Sequence, residues 1–281
     1  MRKIFEKIKL HLHLSRLKKV AQSEVIELLG EQDFSNAILK SYTLDEKSFE
    51  AWIKTSDYHG QFPKYVEEFG EPRQPKGVLE GKFAEHYIST MLGSLEKLKK
   101  DDIIIDVAAS NSPFKEILIN KGFDNTFRTD LNFTTNLERN EIGSSADDLS
   151  FFSDSSVSLI VSHNSVEHFE GDADIGFLKE AARVLKPNSA VVWIPLVMAK
   201  GGVNHTDPSV WATKYRNAPI YPVFDKRFPV QFGTHKQRLM KFFDPKVLDE
   251  DLGKIKELKF DVVELENGKR GNKFALVGTK N

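Results

Sequence analysis

Cysteine is absent from the 281 residues of this chain. Disulfides, thiolate metal centres, iron–sulfur clusters and cysteine nucleophiles are thereby excluded. The absence fits a reducing compartment, and a cytoplasmic location is the expectation. An excess of one charge is lacking as well. The 40 basic residues stand against 41 acidic ones, leaving a formal net charge of −1, so no overall field would gather nucleic acid or an anionic membrane. No stretch is long and apolar enough to span a bilayer. The first residues, 1–22, set Arg2, Lys3, Lys7, Lys9, Arg16, Lys18 and Lys19 among Ile4, Phe5, Ile8, Leu12 and Leu17, which breaks up any spanning segment or signal-peptide core. They read as a basic amphipathic helix packed on the domain, with no stable membrane insertion. Also missing are a P-loop, a Gly-x-Ser-x-Gly elbow, an EF-hand loop and the Gly-x-Gly-x-x-Gly fingerprint of dinucleotide enzymes.

What is present is a body that is 40% hydrophobic, enough for one sizeable core with a smaller helical appendage. With 21 Phe against 3 Trp and 6 Tyr, the aromatics suggest packing more than stacking on bases. Residues 1–80 read as helices joined by polar loops, a packing or lid region, with a break at GEPRQPKG (70–77). Residues 81–281 read as an α/β domain. The stretch GKFAEHYISTMLGSLEKL puts Ala84, Tyr87, Met91, Leu95 and Leu98 near helical spacing, facing inward. Strand and helix then alternate. Three consecutive Ile in IIIDV (103–107) suit a parallel strand covered on both faces. Ser112 and Pro113 read as an N-cap and first helical position, and Gly122 as a left-handed helix stop. TFRTD (126–130), VSLIVS (157–162) and AVVWIPL (190–196) are further strands, with a helix carrying Ile175, Leu178, Ala182 and Leu185 between the last two. FDVVELENG and KFALVGTK form a terminal hairpin. The expected fold is a doubly wound, mostly parallel Rossmann-like sheet, closed by a C-terminal antiparallel hairpin and preceded by N-terminal helices. Residues 200–250 are an irregular insertion rich in aromatics and His.

Ligands of open parallel sheets bind beyond the carboxyl ends of the strands, near the point where strand order reverses. After the first strand come Asp106, Ala108, Ser110 and Ser112; after the second comes Asp130, 24 residues beyond Asp106. An acidic residue there can hydrogen-bond both hydroxyls of a ribose. His163 and Asn164 follow the third of these buried strands. The run from Ser144 to Leu196 then carries Asp148–Leu149, Phe151, Glu167–His168 and Arg183–Val184–Leu185–Lys186–Pro187 in order. This pattern resembles the class I S-adenosylmethionine-dependent methyltransferases of the small-molecule "type 11" group, over about residues 81–196. The resemblance implies S-adenosyl-L-methionine as cofactor and methyl transfer to a small polar or glycan-like acceptor, at oxygen or at nitrogen.

Two departures from that family stand out. Its first loop is Asp-x-Gly-x-Gly-x-Gly, whereas here the glycine positions hold Ala108, Ser110 and Ser112. Glycine serves there because the backbone approaches the cofactor closely and can need positive φ. Ala and Ser are the smallest substitutes, and Ser hydroxyls can reach the methionine carboxylate or amine. At the adenine turn the family has Gly-Asp-Ala, and this chain has Ser144–Ser145–Ala146 followed by Asp147. The cofactor set implied is Asp106, Ala108, Ser110, Ser112, Asp130, Leu131, Ser145, Ala146, Asp147 and His163. A hydroxyl acceptor also needs a base. His163 and His168 rank first by location, then His205, with Asp207 as its orienting carboxylate; His86 and His235 rank lower. Trp211, Tyr215, Tyr221, Lys214, Arg216, Lys226, Arg227, Lys236 and Arg238 of the insertion suit a saccharide or phosphorylated acceptor. No metal site is expected, because His163 and His168 lack the His-x-x-Glu-His spacing of inverted zinc motifs. The alternative is a catalytically inactive protein that keeps the fold as a binding or scaffolding module, a reading the glycine-free loop supports.

Overall fold

The computed structural model describes residues 34–211, 221–233, 236–266 and 274–281. The basic segment 1–22, Lys214, Tyr215, Arg216 and His235 lie outside the described residues. The eight-stranded sheet runs in the order β1-β10-β11-β6-β5-β2-β3-β4. Its strands are β1 (Ala37–Thr43), β2 (Ile103–Val107), β3 (Thr126–Asp130), β4 (Glu141–Gly143), β5 (Val157–His163), β6 (Leu185–Ile194), β10 (Leu258–Glu266) and β11 (Phe274–Lys280). Every pairing is parallel except those of β11, which runs antiparallel to both β10 and β6. The chain builds outward from β2 through β3 to β4, then returns to lay β5 on the other side of β2. The order therefore reverses between β2 and β5, and the ligand crevice belongs at their carboxyl ends.

Alternation along the strands divides the core between two faces. Ile105, Ile160, Val191 and Val262 pack on one side, with helices α6 (Ala173–Val184) and α7 (Pro245–Leu252). Ile104, Leu159, Val192 and Val263 pack on the other, beneath α1 (Glu46–Ser56), α4 (Val78–Leu92) and α5 (Phe114–Asn120). Each such fully buried aliphatic side chain contributes about 1.5–3 kcal/mol relative to exposure. Two short helices, α2 (Tyr58–Gln61) and α3 (Pro63–Phe69), complete the N-terminal layer. Asp45 caps α1 by accepting from the N–H groups of Lys47 and Ser48, and Asp244 caps α7 in the same way, with Pro245 in its first turn.

Several expectations shift. The region before residue 80 is not wholly helical: AILKSYT becomes an edge strand, parallel to β10, entered where the Asp249 carboxylate accepts from the N–H groups of Ser35 and Asn36. Helix α4 stops at Gly93, so Leu95 falls in a separate 3-10 turn; Met91, still within the helix, is exposed. Helix α5 starts at Phe114, one residue later than the Ser112–Pro113 signal suggested. Gly122 does adopt positive φ, at 87°. Within 200–250, the described residues form a three-stranded sheet of β7 (Val203–Thr206), β8 (Val230–Phe232) and β9 (Met240–Phe242), in the order β8-β7-β9.

Candidate active site at the ends of β2, β3 and β5

The loop leaving β2 keeps the backbone shape that glycine would give it. Ala108 has φ 54° and Ser110 φ 47°, both in the left-handed region that side chains disfavour. The conformation is held from several directions. The Ser110 N–H donates to Asp130 Oδ2 at 3.0 Å, the Ala109 N–H to the Thr129 carbonyl at 3.0 Å, and the Ser165 hydroxyl to the Ala108 carbonyl at 2.9 Å. Asn111 reaches the Glu68 carboxylate of α3 through its Nδ2 at 2.6 Å. Because an L-residue in this conformation costs more than glycine does, Ala108→Gly should raise stability by roughly 0.5–1 kcal/mol net of glycine's chain entropy. A higher urea midpoint at unchanged slope would record it.

Asp130 ends β3 and is nearly buried; its Oδ1 accepts from the Asn132 N–H at 2.8 Å while Oδ2 holds the loop. Leu131, next in the chain, is half exposed. Asp106 is fully buried, and its Oδ2 has no hydrogen-bond partner. At the turn after β4, the Ser145 hydroxyl donates to Asp147, Ala146 is buried, and Ser144 Oγ is buried without a partner. Asp147 sits against α6 at Gly176, where an added Cβ would stand 2.6 Å from the Asp147 Cβ.

The histidines separate by environment. His163, at the end of β5, faces Asp106 Oδ1 through Nδ1 at 3.3 Å and Ser89 Oγ through Nε2 at 2.9 Å. Both ring nitrogens are engaged, and its side chain is only 5% exposed. His168 stands in a 3-10 turn, Val166–His168, with its side chain 36% exposed. Its Nδ1 donates to the Leu239 carbonyl at 2.6 Å, and its Nε2 lies 3.9 Å from Glu167 Oε1. Glu167 is buried and its Oε2 has no hydrogen-bond partner. His205, on β7, pairs in register with Met240, the neighbour of Leu239. Asp207 accepts from the N–H groups of Ser209 at 2.9 Å and Lys236 at 2.8 Å.

The insertion docks beside the end of β5 through buried charge. Lys241 Nζ pairs with Asp174 of α6 and reaches the Gly171 carbonyl at 3.1 Å. Arg227 bridges Asp174 at 2.7 Å and Asp251 at 2.5 Å, and also pairs with Asp225. Arg238 pairs with Glu170 at 2.6 Å and donates to the Trp211 carbonyl. Arg227 and Arg238, expected to grip an acceptor, are engaged with carboxylates of α6, α7 and the segment before α6. Trp211 donates to Thr206 Oγ1 at 2.7 Å and meets Tyr221 edge-on, with Tyr221 largely exposed. Among the described residues no group of His, Asp and Glu could hold a metal ion.

Sequence reading ranked His86 low and missed the rest of the buried polar face of α4. Glu85 accepts from Asn164 Nδ2, Ser89 meets His163, and His86 meets both Tyr58 Oη at 2.9 Å and Ser112 Oγ at 3.4 Å. The signal was available: Glu85, His86, Ser89 and Thr90 fall at i, i+1, i+4 and i+5, one polar stripe along the helix.

Residues 121–193 match the sequence profile of a family described as "Methyltransferase domain". No curated protein matches the chain. Among solved structures, 1,6-didemethyltoxoflavin-N1-methyltransferase of Burkholderia thailandensis is similar at 14% identity, covering 85% of this chain and 92% of that one, with a TM-score of 0.47. Geranyl diphosphate C-methyltransferase of Streptomyces coelicolor A3(2) is similar at 10% identity, covering 76% and 87%, with a TM-score of 0.45. The PH0226 protein of Pyrococcus horikoshii OT3 is similar at 16% identity, covering 80% and 98%, with a TM-score of 0.41. The match to the methyltransferase family model runs from the end of α5 through most of β6, in line with the resemblance to class I S-adenosylmethionine-dependent methyltransferases.

Proposed function

We propose that this chain transfers a methyl group from S-adenosyl-L-methionine to an oxygen of a small polar or glycan-like acceptor, with His168 as the base. The observation that carries the reading is the loop after β2. Its residues keep left-handed backbone at Ala108 and Ser110, and an acidic side chain at the end of the next strand accepts from that loop. The donor set fits the cofactor. Asp130 would hold the ribose hydroxyls, Leu131 and Ala146 would flank the base, and the unpartnered Oδ2 of buried Asp106 leaves an acceptor for the cofactor's ammonium. The cofactor supplies a methyl carbon already activated by its sulfonium, so the protein's task is mainly orientation.

Of the three histidines, His168 has the state a base requires. Donation from Nδ1 to Leu239 fixes the tautomer and leaves the lone pair on Nε2. Glu167 beside it stabilises the imidazolium formed when Nε2 takes a proton from the acceptor. His163, held between Asp106 and Ser89, serves as a floor of the cofactor site. The three-stranded insertion forms the acceptor side, and the N-terminal helices brace the loop.

Calorimetric titration with S-adenosylmethionine, S-adenosylhomocysteine and NAD tests the reading. Binding of the two sulfur ligands is expected; silence toward both would sink it. Asp130→Ala should weaken S-adenosylhomocysteine roughly 10- to 100-fold, the worth of hydrogen bonds to a charged group.

A further inference from the structure

We infer that the Ser112 hydroxyl is the loop's donor to the carboxylate of the cofactor's amino-acid end, and that a buried Tyr58–His86 pair positions it. The inference rests on the reading of this loop as a cofactor site. It follows from counting protons along a chain of buried groups.

Tyr58 is 1% exposed and stacks on Phe83, with ring centroids 3.8 Å apart. Its hydroxyl has two neighbours: Trp52 Nε1 at 3.4 Å and His86 Nδ1 at 2.9 Å. An indole N–H can only donate, so Tyr58 Oη accepts from Trp52, and the phenol proton goes to His86 Nδ1. The opposite arrangement would leave a buried hydroxyl proton with no acceptor, which costs more than any of these bonds returns. His86 is itself 2% exposed. Burial, reinforced by His163 and Lys82, holds its pKa well below the ordinary histidine value, so the ring is neutral. With Nδ1 accepting, the ring's one proton sits on Nε2 and points at Ser112 Oγ, 3.4 Å away.

The backbone N–H of Phe114 donates to the same Oγ at 3.3 Å. Two donors occupy the lone pairs of that oxygen, and what Ser112 retains is its own proton. Among the described residues nothing accepts it. A hydroxyl held in this way is a donor only, and it stands where the resembled family has its third loop glycine. A donor suits the carboxylate of the amino-acid end and does not suit the ammonium beside it. The helices before residue 80 thereby act on the cofactor loop through Tyr58, as positioning groups that touch no substrate.

The test compares S-adenosylhomocysteine with 5′-methylthioadenosine, which keeps the nucleoside and lacks the amino-acid end. Ser112→Ala should weaken the first roughly 5- to 20-fold and leave the second unchanged, and Ser112→Thr should restore most of the loss. Tyr58→Phe should weaken S-adenosylhomocysteine about threefold alone, yet add nothing in the Ser112→Ala background. Should Tyr58→Phe not fold, His86→Phe removes the Nε2 donor that Tyr58 holds in place and substitutes for it in the cycle. Equal S-adenosylhomocysteine affinity in wild type and Ser112→Ala overturns the inference. So does an equal loss for both ligands, or a Tyr58→Phe effect that persists in full without the Ser112 hydroxyl. A wild-type protein that binds neither ligand overturns the cofactor reading itself, a different result.

Discussion

Turnover in His168→Gln should fall about 10²- to 10⁴-fold, with S-adenosylhomocysteine affinity held within about twofold, as expected for a general base that the cofactor does not touch. The reason lies in how the ring is held. Nδ1 gives its proton to the Leu239 carbonyl at 2.6 Å, so the ring cannot rotate away or change tautomer without abandoning that bond. Glutamine keeps a donor for the carbonyl and loses the basic nitrogen, so the fold is preserved while proton uptake is not. Single-turnover rates with saturating cofactor would separate chemistry from binding. A variant as fast as wild type would remove His168 from the reaction. His163→Gln is the informative contrast: Nδ1 and Nε2 face Asp106 and Ser89, so its loss should appear in cofactor affinity and stability before it appears in the chemical step.

Asp174→Ala should cost about 3–5 kcal/mol of folding stability, the usual consequence of leaving a buried charge without its partner. Asp174 and Lys241 are both fully buried, and the same carboxylate also meets Arg227. Removing it leaves an ammonium and a guanidinium facing each other, with Asp225 and Asp251 as their remaining counter-ions. Urea unfolding followed by fluorescence of Trp211 and Trp193 would measure the loss. A change under about 1 kcal/mol would mean that the network is solvated and contributes like surface pairs. The double variant Asp174→Leu, Lys241→Met should recover much of the loss, because an apolar pair of similar volume removes the desolvation penalty along with the attraction.

Legibility in the sequence followed burial pattern. Ile103–Val107 and Val157–His163 are short runs whose Ile, Val and Leu are broken only by Asp106, Ser158, Ser162 and His163, and the structure places them as adjacent central strands covered on both faces. β1 escaped because AILKSYT buries only Ala37 well and shows no alternation, as an edge strand need not. Leu95 was misplaced because helical spacing continues past Leu92 in the sequence, whereas the chain turns out at Gly93. Asp106, Asp130 and the loop between them were legible from their position after strands. The roles of Arg227 and Arg238 were not, since a scatter of basic residues in an insertion looks the same whether it faces solvent or locks onto buried aspartates. Side-chain partners more than 50 residues away, such as Asp174 for Arg227, leave no local trace.

The pairing of β1 with β10 also sets an order in time. Ala37 lies opposite Phe260 and Thr43 opposite Glu266, so the first strand has no place until the last hairpin has been made. During synthesis the centre of the sheet, β2 through β6, can assemble while residues 37–43 wait unpaired. Closing a loop of that length is slow relative to local pairing. The edge that finishes the sheet is therefore joined only after the ribosome has passed residue 266, and until then the backbone of residues 37–43 has no strand to pair with.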